Sequence, residues 1–119
     1  MTMMVPEQPS ASARVYNVLC LLGAKPETTG FYFSAYAIEL VCAQPQRSTF
    51  VTKWLYPDVA QAYKATVSSV ERGIRLTANT VWDAQTELGR ALFPGENHPT
   101  ASHFISRVAM YLMSVDIPS

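Results

Sequence analysis

The chain is poor in what several functional classes need. Its 119 residues include only two cysteines, Cys20 and Cys42. That is too few for a disulfide scaffold or a cysteine-rich zinc module. Each lies in an apolar run, so both read as buried, reduced thiols of a cytosolic protein, and their spacing gives no reason for a bridge. Glycine is also scarce, five in all, and no glycine-rich phosphate loop occurs. Charge of one sign is missing too: nine basic residues balance nine acidic ones. A strong, unspecific nucleic-acid binder would carry a basic excess. The apolar run 15–24 is shorter than the roughly 20 residues a membrane span requires. It also lacks signal-peptide flanks, since Arg14 alone precedes it and Lys25-Pro26-Glu27 follows. A cytoplasmic protein that does not enter membranes is expected.

Catalytic and metal chemistry are equally thin. His98 and His103 are separated by a proline loop and a helix start, with no third ligand close in sequence, so no metal site is expected. The serines, histidines and acids form no nucleophile motif. Neither an enzyme nor a cofactor is expected.

What the chain does have is apolar residues, 49% of the total, in helical rather than alternating order. Val15, Val18, Leu19 and Leu22 recur at i, i+3, i+4 and i+7, behind Ser12 as a cap and ahead of Gly23 as a stop. Residues 31–44 follow as a second helix, with Phe31, Ala35, Ile38 and Val41 or Cys42 on one side. Ser48 or Thr49 can cap a third segment carrying Val51, Trp54, Leu55 and Val59. Pro57 should break that segment and restart it near Tyr56. Residues 64–66 form a turn, and Thr66 caps a fourth helix running to about Asp83. A short fifth helix covers about 85–92. Thr100 caps a sixth, with Phe104, Val108, Tyr111 and Leu112 as its stripe. The expected fold is all-α: about six helices in one domain over 12–119, behind a loose tail at 1–11. The aromatic residues Tyr32, Phe33, Tyr36, Trp54, Trp82, Phe104 and Tyr111 read mostly as core.

The charges are not evenly spread. Between Arg47 and Arg75 stand five bases (Arg47, Lys53, Lys64, Arg72, Arg75) and two acids (Asp58, Glu71). At roughly 100° per residue, Val70, Ile74, Thr77 and Val81 fall on one face of the fourth helix. Ser68, Arg72, Arg75 and Asn79 fall on the opposite face, and Glu71 lies one turn before Arg75, within pairing reach. Such a pair of helices suits a helix-turn-helix that lays its second helix in the major groove. Arginine matches the two acceptors of guanine, and glutamate accepts from cytosine. Thr66, Ser68, Ser69, Lys53 and Lys64 would hold phosphates. Geometry by itself fits an ordinary helix pair with a solvated polar face better.

One stretch reverses that balance. "LYPDVAQAYKATVSSVERGIRLTANTVW", residues 55–82, resembles the helix-turn-helix of the C-terminal effector domain of the sporulation initiation response regulator (stage 0 sporulation protein A). That family shows Leu-Tyr-Pro-Asp-Ile-Ala, then Val-Glu-Arg-Ala-Ile-Arg and a Trp. "GFYFSAYAIEL" (30–40) and "LFPGENHPTASHFISRVAMYL" (92–112) are similar to its flanking helices, so the likeness covers most of the chain. It implies a six-helix domain that binds short promoter boxes in double-stranded DNA, often as paired domains. Glu71, Arg72 and Arg75 match its base-reading helix. Four departures imply weaker DNA binding: Ser69 replaces an arginine, Gly73 an alanine, Leu76 a histidine, and a further arginine is lost near Ala35. Gly73 should itself cost the helix roughly 1 kcal/mol. No receiver domain is expected in a chain of this length. A protein-interaction module of the same fold, forming homodimers or pairing with a full-length regulator, is the alternative.

Overall fold

The computed structural model describes residues 11–46, 51–95 and 97–115. Six α-helices make up the described residues, with no strand among them: α1 (Ala13–Leu21), α2 (Thr29–Ala43), α3 (Tyr56–Tyr63), α4 (Val67–Ala84), α5 (Glu87–Leu92) and α6 (Ala101–Val115). A π-helical turn, Val51–Leu55, leads into α3.

Local chemistry sets most helix ends. Ser12 accepts a hydrogen bond from the Val15 amide and opens α1. Gly23 closes it at φ +97°, a left-handed conformation that glycine adopts without a Cβ clash. Thr28 caps α2 through the Phe31 amide, and Thr86 caps α5 through Gly89. Thr100 accepts from the His103 amide at 3.1 Å ahead of α6. Pro57 stands in the first turn of α3. There its missing N–H has no helical partner to lose, so the expected break takes the form of a π-turn followed by a new helix. Ser48 and Thr49, expected as caps, lie outside the described residues, as does Arg47.

α2 occupies the centre. It packs most extensively on α4 and next on α6. Gly30, Phe31, Phe33, Ser34, Ala35, Ala37, Ile38 and Val41 are all buried along it, so it is covered on more than one face, unlike the amphipathic helices around it. Leu19 and Leu22 from the first helical segment, Leu55 and Val59 from the third, and Phe104, Ile105 and Leu112 from α6 complete the core. Among the described residues, no helix is long and apolar enough to cross a membrane.

Several expectations need correction. Cys20 is exposed and Cys42 half-buried, and both are free thiols. Cys20 lies beyond the α1 stripe of Val15, Val18 and Leu19, and the helix phase turns it to solvent. Trp54 is 53% exposed and Tyr32 39% exposed, so neither is core. Ala11, assigned to the tail, is already tied down: its amide donates to the Tyr16 hydroxyl at 3.0 Å. Residues 1–10 lie outside the described part.

Candidate nucleic-acid interface

The candidate interface is built on α3, the turn at Lys64–Thr66 and α4. Lys64 adopts a left-handed conformation, φ 55° and ψ 45°. The Lys64 amide donates to Gln61 O at 3.3 Å and the Ala65 amide to Ala60 O at 2.8 Å. These bonds end α3 and reverse the chain. Thr66 then returns to extended backbone, and its Oγ1 accepts from the Ser69 amide at 3.0 Å. The same hydroxyl donates to Ser69 Oγ at 2.9 Å. The proton of Thr66 is therefore engaged, while Ser69 keeps its own for an outside acceptor.

α4 presents two faces. Val70, Ile74, Thr77, Ala78 and Val81 are buried, which is the stripe its periodicity predicts, widened by Ala78. Ser68, Arg72 and Arg75 are exposed on the other side, and Asn79 is half-buried. Glu71 pairs with Arg75 through Oε1 and Nη1, one turn apart. Arg72 makes no hydrogen bond or ion pair among the described residues. The two arginines are thus unlike: Arg75 is held, Arg72 is free to take an outside acceptor. Beneath this face Tyr56 is 4% exposed. Burial first, and then the negative charge of Glu71, pushes its hydroxyl up to about 12.

The pairs Thr66–Ser69 and Glu71–Arg75 are the predicted site residues that the fold brings into contact. Lys53 is exposed on the π-turn, and Lys64 and Ser68 are exposed beside the turn; none of these three bonds another site residue among the described residues.

Periodicity alone did not disclose the groove along the crossing of α2 and α4. Thr29 and Phe33 from α2 line it together with Ala65, Ser69, Arg72 and Leu76. Gly73 lines it too, and there meets Gly30 of α2. A Cβ on Gly30 would lie 2.3 Å from Gly73 O, and one on Gly73 would lie 2.9 Å from Phe33 Cδ2 and 3.2 Å from Gly30 Cα. Gly73 is thus a packing residue that lets α4 press against α2. Its propensity cost is offset by that close approach. The sequence signal was one small residue on each of two apolar helices, which identifies no pair.

The family model described as Sporulation initiation factor Spo0A C terminal matches residues 15–112. The chain belongs to this family. It is a DNA-binding effector domain of the sporulation-regulator kind, a regulatory rather than an enzymatic family. Three departures from the family pattern acquire a structural reading. Gly73 serves the α2–α4 crossing, and Ala35, near which the family pattern has an arginine, is buried at 1% exposed. Leu76 is 49% exposed beside Arg72, an apolar surface where the family pattern has histidine. His98 is engaged elsewhere: it contacts Asp83 at 2.9 Å and packs on the Trp82 ring. No cluster of three metal-ligating side chains occurs among the described residues.

Proposed function

We propose that α3 and α4 act as a helix-turn-helix that reads a short promoter box in double-stranded DNA, with the protein acting in the cytoplasm on transcription. The observation that carries this reading is Arg72, exposed on the face of α4 opposite its buried stripe and with no hydrogen-bond or ion-pair partner among the described residues. Arg72 takes the two acceptors of a guanine. Arg75, steered by Glu71, reads a second position. Ser68, Ser69 and the cap Thr66 lie at the start of α4, where phosphate contacts form, and Lys53 and Lys64 add backbone contacts. Asn79 follows on the same face further along the helix.

A second reading is supported by Leu76, whose exposed side chain makes part of this face apolar. In it the domain is an interaction module that forms homodimers or pairs with a full-length regulator. Titration against box and scrambled duplexes at two salt concentrations separates the two. Under the DNA reading, the box binds more tightly, and Arg72→Ala loses about 1–3 kcal/mol and relaxes preference at one position. Equal binding of Arg72→Ala and the parent overturns the assignment of Arg72. No binding at low salt leaves the interaction module.

A further inference from the structure

Where the α2–α4 groove runs past Gly73 it opens into a second recess. Lys25, Thr28, Thr29 and Gly30 line it from the start of α2, and Thr77 and Thr80 from α4. The first amides of α2, at Thr29 and Gly30, have no carbonyl of their own helix to bond, and the helix is 15 residues long. A helix start alone would not make a site. Thr77 adds the independent observation: it is 95% buried, being 5% exposed, it lines the recess, and its hydroxyl has no hydrogen-bond partner among the described residues. Of the other three threonine hydroxyls, those of Thr28 and Thr80 are occupied. Thr28 donates to Lys25 O at 2.8 Å and accepts from the Phe31 amide, and Thr80 donates to Leu76 O at 3.0 Å. Lys25 is exposed, and its ammonium has no partner among the described residues. Glu27, in the same loop, does not line the recess.

A Thr77 hydroxyl that bonds nothing among the described residues and opens on the recess, free helix-start amides and a lysine ammonium converge on one chemistry, a tetrahedral oxyanion. We propose that this recess is a phosphate seat, and that it takes a backbone phosphodiester of the DNA lying along α4. The source of the phosphate rests on the reading under Proposed function. The supporting geometry is that Thr29, Gly73 and Leu76 line both this recess and the groove beside Arg72, so a strand contacting Arg72 passes close to it. The contact is independent of sequence and adds to the grip without adding to base choice.

The test compares the parent with Lys25→Gln, Thr77→Val and Thr77→Ser. Binding is measured on box and scrambled duplexes across a salt series. Backbone amide shifts of Thr29 and Gly30 are followed by NMR on adding duplex or inorganic phosphate. Lys25→Gln is expected to weaken both duplexes by the same factor and to lower the salt slope by about 0.9. Thr77→Val should weaken both duplexes and abolish the amide shifts, and Thr77→Ser should keep them. Arg72-dependent binding with an unchanged slope in Lys25→Gln and silent amides overturns the seat while leaving the DNA reading intact. Amides that respond to inorganic phosphate but not to bound duplex overturn the DNA source. If the parent binds no duplex, the DNA reading falls by itself; the phosphate titration then decides the seat, a response lost in Lys25→Gln and Thr77→Val upholding it and silence overturning it.

Discussion

Gly30 and Gly73 face each other across the α2–α4 crossing so closely that a Cβ on Gly30 would lie 2.3 Å from the Gly73 carbonyl oxygen and 2.6 Å from Thr77 Oγ1. At this crossing the helix carrying the arginines meets α2 by backbone contact, in addition to the buried packing of Val70, Ile74 and Val81. Its position relative to the core tolerates no added atom on the α2 side.

Gly30→Ala should be the more damaging of the two substitutions. Its new methyl meets backbone, which cannot rotate away, so a loss of about 2 kcal/mol or more is expected. Gly73→Ala meets the Phe33 ring and gains helix propensity of roughly 1 kcal/mol, so its net effect should be smaller. Urea midpoints at unchanged m-value measure both. Equal losses in the two variants would count against this account of the crossing.

Lys64 carries a left-handed backbone at φ 55°, which costs a non-glycine residue about 1 kcal/mol or more. Lys64→Gly should therefore leave the fold as stable or up to about 1 kcal/mol more stable. It should also weaken DNA binding, with the salt slope lowered by about 0.9 as one phosphate contact goes. Thermal unfolding and a salt series read the two effects separately, and they should run in opposite directions.

Tyr56 and Tyr63 predict a loss of stability in alkali. Burial first, joined by Glu71 for Tyr56 and by Tyr16, Tyr36 and Tyr32 for Tyr63, raises both hydroxyls from 10.0 to about 12. The folded state holds these protons more tightly than the unfolded chain does. The stabilisation is complete below pH 10 and is lost as pH rises through about 12. Tyr56→Phe should flatten the stability profile in that window. An unchanged profile would show that Tyr56 does not supply the effect.

The two thiols should differ in reactivity. Cys20 is exposed, whereas Cys42 is half-buried with its Sγ 3.9 Å from Ala109 O. A thiol reagent added to the native protein should give one fast phase and one slow phase. Cys20→Ser should remove the fast one.

Much of the fold was legible before any coordinates, because it depends on near neighbours in the chain. The i, i+3, i+4 spacing of Val70, Ile74, Thr77 and Val81 requires only a helix and a core, and all four are buried. Ser12, Thr66 and Thr100 act as caps because each hydroxyl reaches an amide three residues on. The restart at Tyr56 follows from the missing N–H of Pro57. The separation of Arg72 and Arg75 from the buried stripe is helix phase alone.

Only the tertiary structure decided the rest. Helix phase states which residues share a face, but not what lies opposite that face. Gly73 reads as a weak point in an isolated helix and becomes a fitted contact once Gly30 is brought to it. Thr77 belongs to the buried stripe by spacing, yet its hydroxyl opens on a recess that α2 completes with Thr29 and Gly30. Cys20 and Trp54 are apolar by type and exposed by placement. In each case the deciding atom belongs to an element distant in the chain, or to solvent. A one-dimensional pattern carries neither.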